Sequence, residues 1–193
     1  MDRKEMQTRT APGVFLAKRS EDNAPVLEGR FISFTGEYRI APWATEKISP
    51  ELEIEGEDIR ALIDHETRLV LGRTTAGTLT VERRDDGVWG TILINPNDQD
   101  AMNLYARVER GDVSQCSFGC YIEREETEFL ENGDVVYIIK AINLLEISVV
   151  TFPAYEDTGV EARADRAKDL RKKQLESWKD MMKGRLKKSE RTN

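Results

Sequence analysis

The feature that most constrains the fold is a run from Val135 to Phe152, VVYIIKAINLLEISVVTF, which follows the turn-forming sequence ENGD and ends before Pro153. Its β-branched and aromatic residues predict a strand, and ENGD predicts a hairpin turn before it. Side chains of a strand alternate between its two faces, and here both faces are largely apolar. One face carries Ile142, Leu144, Glu146, Ser148, Val150 and Phe152, and the other carries Asn143, Leu145, Ile147, Val149 and Thr151. We therefore expect the strand to be buried on both sides.

Four other segments have the composition and alternation of strands. They are residues 13–18, the strand–turn–strand unit Val26–Ile40, the strands that flank the turn Asp85–Gly87, and a strand from Gln115 to about Phe129. Pro42 and Pro50 are expected to interrupt the region that follows Ile40.

Helical spacing is confined to a few segments. Ile59, Leu62 and Ile63 predict a helical turn, and PNDQDAMNLYARVERGDV predicts a helix that ends at Gly111. The fold class is therefore mainly β (α+β), and the economical architecture is a closed or nearly closed β-barrel flanked by a few helices.

Charge is distributed unevenly along the chain, which has 29 Lys and Arg against 36 Asp and Glu, net −7. Residues 161–193 contain 12 basic and 6 acidic side chains, net +6, which leaves 17 and 30, net −13, for residues 1–160. The division predicts one domain over 1–160, with its core at about 25–160, and a basic helical tail over 161–193. The acidic domain argues against nucleic acid as the main partner, whereas the tail could bind nucleic acid, a membrane surface or an acidic protein.

Targeting features are lacking in the sequence. No apolar run approaches the ~20 residues that span a bilayer, and the N-terminus has no apolar signal segment. Cys116 and Cys120, the only cysteines, do not form a secreted disulfide framework. We expect a cytosolic protein with reduced thiols and no membrane association.

His65 is the only histidine in the chain. One histidine and two cysteines four residues apart make a poor zinc site, so no metal or other cofactor is expected. If the protein uses an imidazole as a general base, that base is His65. The alternative is a surface histidine with no chemical role.

Glu146 lies in the apolar run, where a carboxylate is costly unless another group pairs with it. It could form an ion pair with an arginine, or it could orient a histidine. The pattern of the strand alone leaves both open.

The stretch DVSQCSFGCY, residues 112–121, contains the serines and cysteines that could act as nucleophiles. Alternation places Cys116 and Cys120 on the face of Phe118, where buried thiols have a raised pKa and are inert. Ser117 lies on the opposite face with Gly119, whose missing side chain leaves room for a substrate backbone. Ser117 is therefore the better candidate nucleophile, and Ser114 is expected to begin the strand.

Three segments together resemble the prohead maturation serine proteases of tailed bacteriophages, which are distantly similar to the herpesvirus assemblins. The segments are LIDHETRLVLGRTTAGTLTV, GDVSQCSFGCYI and NLLEISVVTFPAY, and the resemblance covers roughly residues 25–160. Cys120 departs from the large apolar residue that is usual in that family. The resemblance implies an assemblin-like barrel, Ser117 as nucleophile, His65 as base and Glu146 as the third member, with Asp64 and Glu66 as other acidic candidates.

The resemblance also implies the biological setting. Such a protease acts inside the immature capsid in the host cytoplasm, where it cleaves major capsid protein, scaffold protein or both, and finally itself. Self-association into a dimer or higher oligomer would be consistent with this family. The oxyanion hole would consist of backbone N–H groups, for which Gly72 is one candidate.

Two functions of other classes remain open from the residues alone. The chain could be a non-catalytic assembly or scaffold protein that acts through its basic helix. It could also be a cysteine hydrolase that uses Cys116 or Cys120.

Overall fold

The computed structural model describes residues 6–11 and 15–152, together with four exposed helical residues of the tail, Lys172, Lys173, Glu176 and Lys179. The predicted basic helix otherwise lies outside the described residues. The strands are β1 Gln7–Ala11, β2 Phe15–Arg19, β3 Pro25–Ser33, β4 Glu37–Ala41, β5 Ala44–Glu55, β6 Arg60–Ile63, β7 Glu66–Arg73, β8 Leu79–Arg84, β9 Gly87–Leu93, β10 Gln115–Phe129 and β11 Val135–Val150. A short 3-10 helix spans Thr74–Ala76, and the helix α1 spans Gln99–Arg110.

The strands form two sheets, not the closed barrel that the sequence led us to expect. The larger sheet has the order β1-β10-β11-β5-β4, with β6 paired to β11 and β7 paired to β6. The smaller sheet has the order β2-β3-β9-β8. No strand pairing joins the two sheets in the described part of the chain. The mainly β class is confirmed, but closure by backbone hydrogen bonds is replaced by packing of side chains between two layers.

The long strand β11 organises the larger sheet because it has different partners along its length. It pairs with β10 along one edge, and along the other with β5 up to Asn143 and then with β6 from Glu146. Its last residues, Ile147–Val150, are all buried, which confirms the expected burial on both sides. The strand stops at Val150, and Phe152, predicted to continue it, is 81% exposed.

A β-bulge changes the alternation in the middle of β11. Gly119 of β10 lies opposite Glu146, but Cys120 lies opposite Leu144, so Leu145 has no partner in the register. Ile142 and Leu144 belong to the main core before the bulge, whereas Ile147 and Val149 belong to it afterwards. The expectation of one continuous face from Ile142 to Phe152 is therefore wrong, because the extra residue turns Glu146 and Ser148 out of the core face.

The main core lies between the two sheets and includes residues of both. A Cβ built on Gly90 of β9 would lie 2.5 Å from Ile147 Cδ1 and 2.8 Å from Phe31 Cε2. The two sheets therefore approach each other closely at Gly90, where β9 has no side chain. Cys116, Phe118 and other residues of β10 lie in the same core.

The helix α1 and two of the predicted hairpins are confirmed. The Asp98 side chain accepts hydrogen bonds from the backbone N–H groups of Asp100 and Ala101, and Gly111 ends the helix with φ 87°. The hairpins β8–β9 and β10–β11 lie where the sequences DDG and ENGD predicted them.

Two local predictions were wrong. Ile59, Leu62 and Ile63 were expected in a helical turn, but residues 60–63 form β6 between β11 and β7. Pro50 was expected to break the chain, but it lies within β5, where the register with β11 shifts between Ile139 and Ala141. A bulge tolerates proline because no ladder hydrogen bond is required of its nitrogen.

The close approach at Gly90 makes a testable prediction. Gly90→Val should reduce the free energy of unfolding by about 1–3 kcal/mol, because the new methyl groups enter a filled space between the sheets. Gly36→Val is the control, since a Cβ there meets only Ser33 atoms at 3.8 Å. Urea unfolding compares the two, and an equal loss in both variants would contradict the close contact between sheets.

Candidate active site

His65 lies at the tip of the β6–β7 hairpin, in a two-residue turn with Asp64. Ile63 and Glu66 form the last pair of the hairpin, and Asp64 and His65 have φ angles of 47° and 60°. These left-handed conformations match a type I′ turn, and Asp and His tolerate them better than most side chains do. The turn therefore projects the only imidazole from a fixed position beside β11.

Asp64 attaches this turn to the end of β11. Its backbone N–H donates to the Val149 carbonyl at 2.9 Å, and its carboxylate accepts from the Thr151 N–H at 2.7 Å and the Thr151 hydroxyl at 3.1 Å. Asp64, considered above as another acidic partner for His65, thus uses its carboxylate on Thr151. Its contacts fix the turn that carries the imidazole.

Glu146 is buried on β11 and contacts the imidazole directly. Its Oε1 lies 2.7 Å from Nδ1 of His65, and its Oε2 accepts a hydrogen bond from the Ser148 hydroxyl at 2.6 Å. Of the two interpretations left open above, the histidine partner is the one observed. With the carboxylate ionised, Nδ1 carries the proton and donates it to Glu146, which leaves the lone pair of the imidazole on Nε2.

Ser148 is a member of the site that the sequence analysis did not select. Its hydroxyl donates to Glu146 and accepts from the His65 backbone N–H at 3.3 Å, so it connects the carboxylate to the turn. It was detectable in principle, because it is a polar residue in the same apolar run and two positions from Glu146. The reasoning that singled out Glu146 applies equally to it.

Gly119 provides the space that the Glu146 carboxylate occupies. A Cβ at this position would lie 2.4 Å from Glu146 Oε1. The missing side chain was expected to leave room for a substrate backbone, but in the structure the Glu146 side chain of the neighbouring strand fills that space. Gly119 is therefore a requirement of the His65–Glu146 pair.

Ser117 lies opposite Ser148 in the β10–β11 ladder. Directly opposed residues in an antiparallel pair have neighbouring side chains, so Ser117 is placed one strand away from the hydroxyl that contacts both Glu146 and His65. Its own hydroxyl donates to the carbonyl of Arg9 at 2.9 Å, and the residue is 0% exposed. Nε2 of His65 is buried and has no hydrogen-bond partner in the described part of the chain.

The strand β1 covers Ser117 from the open edge of β10. It pairs antiparallel from Gln7 opposite Cys120 to Ala11 opposite Cys116. This strand was not predicted, although the alternating threonines of QTRTA are typical of a strand. The covering strand explains why a candidate nucleophile is fully buried.

The two cysteines lie in the core, as predicted from alternation. Burial raises the pKa of Cys120 to about 12 and also raises that of Cys116. A thiol with so high a pKa is a poor nucleophile at neutral pH. The structure thus gives no support to a cysteine hydrolase.

Gly72, the candidate for the oxyanion hole, lies within β7. A Cβ there would lie 2.8 Å from the Thr78 carbonyl and 3.2 Å from Ile92 Cγ2. This close packing explains the glycine without any role in catalysis.

The described residues contain no group of three or more His, Cys, Asp or Glu side chains placed to bind a metal ion. None of the described helices is long and apolar enough to cross a membrane.

Comparison with known proteins identifies a family and a similar solved structure. The sequence model of the caudovirus prohead serine protease family matches residues 15–173. The solved structure of the bacteriophage T4 capsid assembly protease, gp21, is similar over 76% of this chain and 97% of that chain, with 11% identity and a TM-score of 0.44. The family is therefore assigned from the sequence match over residues 15–173 and not from this structural similarity. No curated protein matches the chain.

The space at Gly119 can be tested through the single histidine. Gly119→Ala should displace the Glu146 carboxylate, because the methyl group would overlap Oε1. The imidazole N–H bonded to a carboxylate gives a downfield proton resonance, and we expect Gly119→Ala and Glu146→Gln to shift or abolish it. Gly36→Ala, where a Cβ makes only ordinary contact with Ser33, should leave it unchanged. A resonance unaffected by Gly119→Ala would contradict this role of the glycine.

The buried thiols make a second prediction. Since a raised pKa keeps both cysteines protonated well above pH 8.5, iodoacetamide should alkylate the native chain roughly a thousandfold more slowly than the urea-unfolded chain, whose thiols have an ordinary pKa. Intact mass at pH 8.5 measures both. Rapid alkylation of the native chain would show that at least one thiol is exposed and reactive.

Proposed function

Because the chain belongs to the caudovirus prohead serine protease family and is a protease of phage capsid maturation, we propose that Ser117 is its nucleophile, His65 its general base and Glu146 the carboxylate that orients His65. The observation that carries this proposal is the 2.7 Å contact between His65 Nδ1 and Glu146 Oε1. This contact directs the lone pair of Nε2 away from Glu146, where it can accept a proton.

The proposed reaction follows from these three groups. Nε2 of His65 takes the proton of the Ser117 hydroxyl as Oγ attacks the carbonyl carbon of a peptide bond. Glu146 stabilises the imidazolium that forms, and the imidazolium then gives the proton to the leaving amine. Water hydrolyses the ester on Ser117 in the second half of the reaction, again with His65 as the base.

Ser148 and Asp64 have positioning roles in this proposal. Ser148 donates to the second oxygen of Glu146, which holds the carboxylate in the plane that faces Nδ1. Asp64 fixes the left-handed turn through Thr151. Neither residue needs to contact the substrate.

The proposed substrates are the major capsid protein, the scaffold protein or both, and the chain itself. The protease would act inside the prohead in the host cytoplasm, without a cofactor and without nucleic acid. A domain over residues 1–160, a basic tail that binds scaffold or is removed by self-cleavage, and self-association also belong to this proposal.

The proposal predicts the effect of removing the nucleophile. Ser117→Ala, co-expressed with the capsid and scaffold proteins of the same phage, should reduce their processing by about 10³-fold or more, because the acyl intermediate cannot form. His65→Ala should have a similar effect, since the members act as a unit. The readout is the mass of the processed proteins.

The control is Ser114→Ala, which removes an exposed hydroxyl three residues from Ser117. It should leave processing intact. Processing at the normal rate by Ser117→Ala would overturn the assignment of the nucleophile, and loss of processing in Ser114→Ala would show that the stretch tolerates no hydroxyl deletion.

A further inference from the structure

β1 occupies the edge of β10 that holds the proposed nucleophile. Ser117 donates to the Arg9 carbonyl at 2.9 Å, and Thr10 lies opposite Ser117 in the ladder. The carbonyl group that accepts this hydrogen bond from the proposed nucleophile belongs to the Arg9–Thr10 peptide bond. An extended segment that adds antiparallel to a sheet edge is also a common way for proteins to bind peptides.

The side chain of Arg9 enters a buried acidic recess. Arg9 is 4% exposed, and its partner Glu46, on β5, is 2% exposed. The guanidinium Nε donates to Glu46 Oε1 at 2.6 Å, and Nη2 donates to Oε2 at 3.2 Å. Nη1 donates to the Thr8 carbonyl at 2.7 Å, and Nη2 also donates to Gln7 Oε1 at 3.3 Å.

This geometry is specific to a guanidinium. Two parallel N–H groups on two oxygens of one carboxylate form the bidentate pair that arginine makes and lysine cannot. A charge is rarely buried this deeply unless an opposite charge is held against it. The recess is therefore complementary to a basic side chain on the residue whose carbonyl contacts Ser117.

We propose that Glu46 is the specificity-determining residue of the protease: it binds a basic side chain, arginine above all, on the residue that precedes the cleaved bond, and β1 occupies this place as a substrate-like inhibitor does. The proposal rests on Ser117 being the nucleophile. A substrate strand replaces β1 on the edge of β10, and its basic side chain replaces that of Arg9 at Glu46.

The test uses synthetic peptides of residues 4–15 with Arg, Gln or Glu at the position of Arg9, and the full chain as enzyme. Cleavage after that position is identified by mass. Its kcat/KM should be at least about tenfold higher for the Arg peptide than for the Gln peptide, because glutamine cannot form the ion pair with Glu46. It should be lowest for the Glu peptide, because the two carboxylates repel each other. In Glu46→Gln the ratio of Arg to Gln peptide should fall to about one.

The ratio is insensitive to how much of the enzyme is folded or covered by β1, since both peptides meet the same active fraction. Glu53→Gln is the matched control, because Glu53 lies on the same strand but is exposed and pairs with Arg124 on the surface. It should keep the wild-type ratio. A wild-type ratio near one, or an unchanged ratio in Glu46→Gln, would overturn the role of Glu46.

Ser117→Ala separates this proposal from the one on which it rests. Hydrolysis of the Arg peptide by Ser117→Ala would overturn the nucleophile. Loss of that hydrolysis, together with an unchanged ratio in Glu46→Gln, would overturn only the specificity residue. A wild-type chain that processes capsid or scaffold protein but leaves the Arg peptide intact would also contradict the role of Glu46.

Discussion

The arrangement of the site depends on the burial of one carboxylate. Glu146 lies in a strand that is buried on both sides, and a carboxylate there is costly unless both oxygens are hydrogen-bonded. The imidazole of His65 contacts one oxygen and the hydroxyl of Ser148 bonds to the other. The neighbouring strand leaves room through Gly119. Once Glu146 is satisfied in this way, the position of the imidazole is determined as well.

The backbone around Glu146 serves the same requirement. The bulge at Leu145 turns Glu146 and Ser148 away from the main core, so that two polar side chains can meet on one face without interrupting the packing of Ile147 and Val149. The left-handed turn at Asp64 and His65 then closes over that face from the neighbouring hairpin. Bulges and left-handed turns interrupt the regular geometry of a sheet. Here each lies where it sets the direction of a side chain of the site, Glu146 in one case and His65 in the other.

The sequence predicted those parts of the molecule that depend on local pattern. Strong alternation and turn residues located β10 and β11, and helical spacing that ends at Gly111 located α1. Alternation within β10 also separated the buried cysteines from Ser117. The pairing of His65 with Glu146 was expected from the family resemblance, and the contact is present in the structure. The roles of the three residues remain a prediction that only activity can test.

The parts that were missed depend on partners far away in the sequence. The bulge at Leu145 exists because β10 and β11 pair out of step there, which one strand alone does not reveal. Pro50 is tolerated in β5 because the register with β11 shifts beside it. The segment before His65 resembled a helical turn because Ile59, Leu62 and Ile63 fit a helical spacing, although residues 60–63 form a strand. β1 is short and polar, and it becomes a strand only because the edge of β10 is available.

The ion pair of Arg9 and Glu46 is difficult to explain by stability alone. The cost of desolvating two charges offsets much of their attraction, so apolar residues of similar volume would often stabilise such a site equally well. A buried pair does, however, discriminate strongly between side chains, because a neutral or acidic replacement leaves a charge without its partner. β1 also competes as part of the same chain, so it has a high effective concentration against any substrate in solution. A pair that selects arginine, on a strand that a substrate has to displace, would make cleavage depend on both the sequence and the local concentration of the substrate. Many copies of one substrate protein packed closely around the protease would meet the second condition, and an arginine before its cleaved bond would meet the first.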